Sequence, residues 1–369
     1  MEGSYLYYSY NLTNTTHGDS TTHPLRLGVA VFVVILSLVG LVGNVCMVYA
    51  ILGHRHMRTL PNVLILNLAV ADLLYILITT PIHTRHELNP NWHLDEAACK
   101  VKNYLAFVAQ HASVFALAAL SRERHTAIVG GMEARHRGAV MSWLSSSRCA
   151  VSTLWLAALT VSVPTLVFAH VQEKQCRYSS SDPTLSKAYE CVHFLVGYLI
   201  PLFIVGIYYM RIAVSLFRST HSFQNEYMGD AMAKQVRVRK RLAFSVLVIT
   251  IFFAVCWFPY FYYYLWINFT PQEDFLIQPF PHGTDILRYV GFVMPVINTG
   301  LDPWILFGIS SRHRACLVRC LTARACGCKK VALRKRDSLS MRTMTTSRKA
   351  DKQRTTTGAG TSFSRLSNA

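Results

Sequence analysis

Charge is scarce in this chain, and acid is scarcer than base. Asp, Glu, Lys and Arg make up 15% of 369 residues, with 37 basic against 19 acidic side chains. A soluble domain carries about 25% charge, so an ordinary water-soluble globule is excluded. The basic excess does not point to nucleic acid either. Lys and Arg fall in the gaps between apolar runs and in the last fifty residues, rather than over an amphipathic surface. Enzyme signatures are missing too: there is no nucleophile beside a base, no His pair at metal spacing and no phosphate-cradling glycine loop. Cys326-Gly-Cys328 has no further ligands at zinc spacing. Ten cysteines are too few and too scattered for a disulfide-built scaffold. Cys46, Cys149 and Cys256 sit inside apolar runs and read as small packing residues. No internal repeat is visible, which argues against an inverted-repeat transporter.

What the chain does have is seven long apolar runs. They are Gly28–Leu52, Val63–Ile82, Asn103–Leu120, Cys149–Ala169, Val192–Met210, Leu242–Phe269 and Tyr289–Ser311. Each is about the length that a helix needs to cross a bilayer core of roughly 30 Å. The expected fold is therefore an all-α membrane protein, a seven-helix transmembrane bundle. The third run, free of Asp, Glu, Lys and Arg from Asn103 to Leu120, ends abruptly in Ser121-Arg122-Glu123-Arg124-His125.

The gaps alternate in charge. The first holds His54 to Arg58, the third Arg124, Arg135, Arg137 and Arg148, and the fifth Lys234, Arg237, Arg239, Lys240 and Arg241. The second holds Glu87, Asp95 and Glu96, the sixth Glu273, Asp274 and Asp285, and the fourth is mixed. Basic gaps face the cytoplasm, which puts the N-terminus outside and the C-terminus inside, in a multi-pass plasma-membrane protein. Residues 1–24 contain no Lys or Arg and lack the basic start and apolar core of a secretory signal. Two glycosylation sequons, at Asn11 and Asn14, lie there, and a third, at Asn268, falls in the sixth gap on the same predicted side.

Four divisions follow. Residues 1–26 form an external glycosylated N-terminus and 27–311 the seven-helix domain. Residues 312–328 form a short amphipathic helix on the inner leaflet, read from the alternation in Arg312-His-Arg-Ala-Cys-Leu-Val-Arg-Cys-Leu. Residues 329–369 form a basic, Ser/Thr-rich disordered cytoplasmic tail. Cys316 and Cys320, four apart on the surface helix, are candidates for palmitoylation. Ser338, Ser340, Thr343, Thr345, Thr346 and Ser347 fit phosphorylation and arrestin capture.

Several polar residues have no place in lipid unless they have partners. A central Asp such as Asp72 costs roughly 2.5–3.5 kcal/mol on insertion scales. Asp302 is a second intramembrane acid, with Asn298 four residues before it and on the same face. Ser113, Asn44 and Asn67 lie at similar depth. These groups are either hydrogen-bonding glue between helices or, for Asp72, Ser113, Asn298 and Asp302, hard oxygen ligands for a structural sodium ion. No other cofactor is expected. Prolines at 81, 164, 201, 259, 295 and 303 permit kinks. The aromatic run Tyr260 to Tyr264, with Trp266, divides between a cavity and the outer interface. Cys99 has two candidate disulfide partners on the outer side, Cys176 and Cys191. Cys176 is favoured because Cys191 lies at the boundary of the fifth run.

Together these residues resemble a rhodopsin-like (class A) G-protein-coupled receptor, over about Gly28 to Cys320. Gly43-Asn44 is similar to the family's first-helix Asn, and Asn67-Leu-Ala-Val-Ala-Asp72 to its second-helix acid motif. Cys99 is similar to the third-helix disulfide cysteine, Glu123-Arg124 to the Asp/Glu-Arg-Tyr pair, and Trp155 and Pro164 to fourth-helix positions. Pro201 and Tyr209 match the fifth helix, Cys256-Trp257-Phe258-Pro259 the sixth-helix toggle and Asp302-Pro303 the seventh-helix Asn/Asp-Pro motif.

The resemblance implies signal transduction. An external ligand shifts a pre-existing equilibrium, and Glu123, Arg124 and Tyr209 take part in receiving a heterotrimeric G protein, with arrestin and membrane lipids as further partners. It places the toggle and pocket at Ala106, Phe107, Gln110, Trp257, Tyr260, Phe261, Tyr264 and Arg288. Ala106 stands where amine receptors carry an Asp. The stretch Pro81 to Cys99 and the run from Phe115 to Ser121 look most like neuropeptide receptors of the bombesin/CCHamide kind, so a peptide ligand is expected. Asp302-Pro303-Trp304 is also similar to prostanoid receptors, which carry an Arg where Val293 stands here, so a lipid ligand is the second expectation.

Three positions depart from the family. His125 replaces the aromatic after the Arg, Leu306 stands where the seventh helix carries a Tyr, and Arg237, Arg239, Lys240 and Arg241 offer Arg124 no acid. His125 and Leu306 leave open a non-signalling receptor that only binds or scavenges ligand.

Overall fold

The computed structural model describes residues 19–54, 57–89, 92, 94–129, 147–172, 175–178, 182–222, 230–270, 281–310, 313–315 and 317–318. Seven helices among them are long and apolar enough to cross a membrane. We number the spans α1 (Asp19–Gly53), α2 (Leu60–Leu88), α3 (Glu96–Val129), α4 (Ser147–Ser162, continued by Pro164–Phe168), α5 (Pro183–Phe194, then Leu195–Leu199 and Ile200–Ser222), α6 (Asp230–Phe269) and α7 (Pro281–Ile309). Residues 19–317 belong to one compact unit, and Val318 is the described residue of a second.

The helices overrun the apolar runs, because polar turns continue them until a specific residue stops or starts them. α2 begins at Thr59 with Pro61 in its first turn, where the missing N–H costs nothing. Asp95 Oδ1 accepts from the Ala98 N–H at 2.7 Å and so caps the start of α3. Asp182 caps α5 in the same way, accepting from Thr184 N–H at 2.8 Å ahead of Pro183. That cap moves Cys191 into the third turn of α5, where it is a free thiol, rather than into the fourth gap. Cys99 is bonded to Cys176.

One element departs from an all-α reading. Between α4 and α5, β1 (Ala169–Gln172) and β2 (Gln175–Tyr178) form an antiparallel pair, with Val171 opposite Cys176. Cys176 thus reaches α3 from a hairpin strand, and Cys99 Sγ lies 3.5 Å from His170 O on the other strand.

α3 runs through the middle and is the most buried span, at 72% of its apolar window. Its buried side chains Ala109, Ala112, Ala116 and Leu120 share one apolar core with Leu68, Leu154, Ile249 and Phe253. Where side chains are absent the backbones approach closely. A Cβ on Gly40 of α1 would fall 2.7 Å from Gly300 Cα on α7, and one on Gly43 2.7 Å from the Pro303 ring. The α1–α7 seam therefore depends on these glycines.

Prolines act through the carbonyls they leave without a donor. Pro303 has no N–H for Thr299 O, and Asn44 Nδ2 donates to that oxygen at 3.0 Å. Pro201 has none for Gly197 O, and Gln110 Nε2 donates there at 2.7 Å. The adjoining stretch Leu195–Leu199 widens to a π turn, with the Ile200 N–H bonded to Leu195 O. After α7, residues 313–315 and 317–318 are helical. The rest of the expected surface helix, Cys316 and Cys320 included, and the tail lie outside the described residues. So do Asn11 and Asn14.

Candidate functional site

A cavity of about 90 Å³ opens at the end of the bundle that carries the Cys99–Cys176 bond. α2 contributes Tyr75, Thr79 and His83, and α3 contributes Lys102, Asn103, Ala106 and Phe107. Trp257, Tyr260, Tyr263 and Tyr264 come from α6, and Arg288, Gly291 and Phe292 from α7. The spacing is helical: Lys102 and Ala106, Asn103 and Phe107, and Arg288 and Phe292 are four apart and share a face. His83 stacks on Phe292, with ring centroids 3.4 Å apart. The Arg288 guanidinium lies 4.9 Å from the Tyr289 ring, and Lys102 Nζ donates to Asn103 Oδ1 at 3.1 Å.

Six of the residues expected in the pocket line this cavity: Ala106, Phe107, Trp257, Tyr260, Tyr264 and Arg288. Gln110 and Phe261 do not. Gln110 lies a turn deeper, held by Gly197 O and, at 3.3 Å, by His193 Nε2. Phe261 packs on Tyr198 at 5.1 Å and on Phe194 at 5.7 Å, facing α5. Tyr75, Thr79, His83, Lys102, Asn103, Gly291 and Phe292 were not anticipated, and Tyr263 only as one of the aromatic run shared between cavity and interface. The helical repeat through Ala106 and Arg288 was the signal that could have found Lys102 and Phe292.

Behind the cavity lies a buried polar cluster that no motif foretold. His193 Nδ1 is 3.9 Å from Glu190 Oε2, and His111 Nδ1 lies 2.8 Å from Phe107 O and 3.1 Å from Ser162 Oγ. A Cβ on Gly197 would fall 2.9 Å from Gln110 Nε2, so only glycine lets the α3 amide reach the α5 backbone.

At mid-depth, Asp72, Ser113, Asn298 and Asp302 are all buried. Trp257 Nε1 donates to Asn298 Oδ1 at 3.2 Å, and Asn298 Nδ2 donates to Asp302 Oδ1 at 3.1 Å. Both Asp72 carboxyl oxygens and Asp302 Oδ2 have no hydrogen-bond partner among the described residues. The two carboxyls act on each other electrostatically. Unpartnered hard oxygens facing a like charge fit a small cation. Asn44 and Asn67 belong instead to the helix contacts: Asn67 Oδ1 accepts from Trp155 Nε1 at 2.6 Å, tying α2 to α4.

At the opposite end Arg124 is 6% exposed, and its Nε has no hydrogen-bond partner among the described residues. Glu123 and Tyr209 act on it electrostatically. The expected Glu123–Arg124 ion pair is not formed among the described residues, since neighbours on a helix do not face each other. Tyr209 OH donates to Ala243 O at 2.7 Å, tying α5 to α6. His125 packs on Tyr208, with centroids 5.4 Å apart. Leu306 is 2% exposed and joins the apolar core. Lys240 and Arg241 are exposed, and the side chains of Arg237 and Arg239 lie outside those described. Asn268 sits in the last turn of α6 rather than in a loop, its amide donating to Tyr264 O at 2.9 Å.

Seven spans, a ligand-sized opening at one end and a buried Arg at the other define a membrane receptor. The family model for "7 transmembrane receptor (rhodopsin family)" matches residues 43–306, and the chain belongs to that family. Its members are receptors and not enzymes. Among similar proteins, the bombesin receptor subtype-3 of Ovis aries is 30% identical over 294 residues, covering 76% of this chain and 71% of the relative. The [Phe13]-bombesin receptor of Bombina orientalis is 30% identical over 294 residues, 77% of this chain and 73% of the relative. The neuropeptide CCHamide-1 receptor of Drosophila melanogaster is 31% identical over 316 residues, 82% of this chain and 62% of the relative.

Proposed function

We propose that this chain is a plasma-membrane receptor activated by an extracellular peptide and signalling to heterotrimeric G proteins. The observation that carries the reading is the aromatic, cation-bearing cavity beside the Cys99–Cys176 hairpin, in a chain about 30% identical to receptors named for bombesin and CCHamide peptides. A cavity of about 90 Å³ admits one or two side chains, so the remainder of a peptide rests on the hairpin and the helix ends.

In this reading the N-terminus, with Asn11 and Asn14, is outside, and the segment after residue 311 is cytoplasmic. Residues 312–328 lie on the inner leaflet with Cys316 and Cys320 acylated, and 329–369 recruit arrestin once phosphorylated. Asp72, Ser113, Asn298 and Asp302 hold sodium in the resting bundle. Ligand binding beside Trp257 loosens its bond to Asn298 and favours a state in which α6 moves away and Arg124 meets the G protein.

The test is nucleotide exchange on purified G protein by the receptor in membranes, with a random peptide library as stimulus. Stimulation by peptide pools and none by fatty-acid or prostanoid pools is expected. Leu306, buried where its relatives' family carries a tyrosine hydroxyl, favours one second reading, a non-signalling scavenger. Peptide uptake without exchange would establish that reading instead.

A further inference from the structure

Glu190 and His193 lie one turn apart on α5, and each is 3% exposed. They stand directly behind the cavity wall. The His193 ring is 4.2 Å from that of Phe107 and 6.3 Å from that of Tyr260, and both of those rings line the cavity.

The hydrogen bonds around them fix which ring nitrogen is bare. Gly197 O can only accept, so Gln110 meets it with Nε2 and turns Oε1 towards His193. That amide oxygen can only accept as well, so His193 Nε2 carries the hydrogen of the 3.3 Å contact. A neutral ring then has a lone pair on Nδ1, and Nδ1 lies 3.9 Å from Glu190 Oε2. A ring lone pair and a carboxylate are both acceptors. Neither His193 Nδ1 nor Glu190 Oε1 has a hydrogen-bond partner among the described residues.

The surroundings supply no counter-charge. From α3 the pair meets His111, whose Nδ1 is taken up by Phe107 O and Ser162 Oγ. α4 offers the hydroxyls of Ser162 and Thr165, the latter 3.2 Å from the Tyr189 hydroxyl. α6 presents Tyr260, with Tyr264 packed on it. Tyr189 and Tyr260 act electrostatically with Glu190. Lys187, one turn before Glu190, holds its ammonium 5.6 Å over the Phe269 ring. Among the described residues Glu190 forms no ion pair with Lys or Arg, and His193 is the charged-pair partner it has.

A single proton reconciles the two acceptors. It sits on the acid and is donated to Nδ1, or on Nδ1 and is donated to the carboxylate, and in both forms the pair has no net charge. A shift of about 1 Å in either side chain then closes the gap to a hydrogen bond of ~2.7–2.9 Å. Without that proton a carboxylate is buried against a lone pair, which is costly. The relief is for α5 to part from α3 and admit water. The seam gives most readily at Leu195–Leu199, where the backbone is already a wide π turn held by Gln110.

We infer that Glu190 and His193 form a proton-binding site that locks α5 to α3 behind the cavity when occupied and releases it as pH rises. The ligand is the proton itself, so the inference goes beyond the peptide reading and does not depend on it. The packed pair holds one proton. In water Glu is ionised above about pH 4.3 and His is neutral above about pH 6.5, so an opened bundle has lost that proton above about pH 6.5. The packed state therefore loses ground as pH rises from there, and the dependence flattens below it.

The test uses the full-length receptor in discs of zwitterionic lipid at pH 6.5 and 8.5. The thermal unfolding midpoint of the parent should fall between the two by about 2 °C or more beyond the fall in Glu190→Gln. The glutamine amide donates to His193 Nδ1 at every pH, so that variant should match the parent at pH 6.5. Glu190→Asp keeps a titrating group and should keep the pH dependence, even from a lower midpoint. Equal falls in the parent and Glu190→Gln overturn the inference. A second reading needs no variant: hydrogen exchange of the backbone amides of residues 190–200, corrected for the intrinsic effect of pH. Exchange there should speed up about 3-fold or more at pH 8.5, while residues 64–76 of α2 stay unchanged. Exchange that is unchanged in 190–200, or that rises equally in both stretches, overturns it too.

Discussion

Gln110 fills a gap that Pro201 opens. Its Nε2 donates at 2.7 Å to Gly197 O, the carbonyl four residues before the proline, while its Oε1 lies 3.3 Å from His193 Nε2. One α3 side chain thus secures the irregular turn of α5 against the centre of the bundle.

Gln110→Leu strands a buried carbonyl and a buried imidazole nitrogen, so a loss of about 1–3 kcal/mol is expected. Pro201→Ala returns an N–H to the same carbonyl. In the double variant the two changes should therefore not add, and the Gln110 substitution should cost less there than in the parent. Thermal unfolding of the four proteins measures this, and strict additivity would mean that the carbonyl is not what the two residues share.

Gly40→Val is expected to lower surface expression and the unfolding temperature. Its Cβ would lie 2.7 Å from Gly300 Cα, which is backbone and cannot turn aside, and 2.8 Å from Ile76 Cδ1. Overpacking of this kind costs about 1–3 kcal/mol. Gly206→Ala, with nothing within 4 Å of the added carbon, is the control and should behave as the parent.

Sodium should oppose activation. If Asp72 and Asp302 hold the ion in the resting bundle, replacing choline by sodium at fixed ionic strength lowers the affinity of an activating peptide by about 5-fold or more. Asp72→Asn removes one ligand charge and should flatten that dependence. An affinity indifferent to sodium in the parent would count against the site.

Ligand-independent exchange should be measurable but partial. Arg124 is buried, with no hydrogen-bond partner for Nε among the described residues, and α6 presents Lys240 and Arg241 at this end, which disfavours tight closure. Leu306 supplies no hydroxyl to steady the open state. Exposed charge pairs contribute only ~0–1 kcal/mol, so neither effect dominates. Arg239→Glu should lower basal exchange and Leu306→Tyr should raise it, at matched expression. A rise with Arg239→Glu would refute the charge argument.

The seven spans were legible because apolar length alone demands them. The depth of Asp72 and Asp302 was legible too, since a charge inside such a run stands out. The hairpin was not: Ala169-His-Val-Gln and Gln175-Cys-Arg-Tyr each alternate, but four residues are too short a run to stand out, and the strands form where Cys176 is bonded to Cys99. Cys191 was misplaced because a capping Asp182 outweighs the polarity of the turn after it. The pocket was read best from α6 and not at all from α2. Phe261 and Gln110 look like pocket residues by spacing, but each finds a partner on α5 that only the packed bundle brings near. The lysine at position 102 lies one turn before Ala106, and its depth could not be judged without the neighbours that enclose it.

The bond between Cys99 and Cys176, 77 positions apart, closes a covalent ring of the chain that contains nearly all of α3 and the whole of α4. A single protease cut between Val129 and Ser147 opens that ring without releasing anything. Such a nicked receptor runs as one species on a denaturing gel until a thiol is added, and only then separates into two pieces.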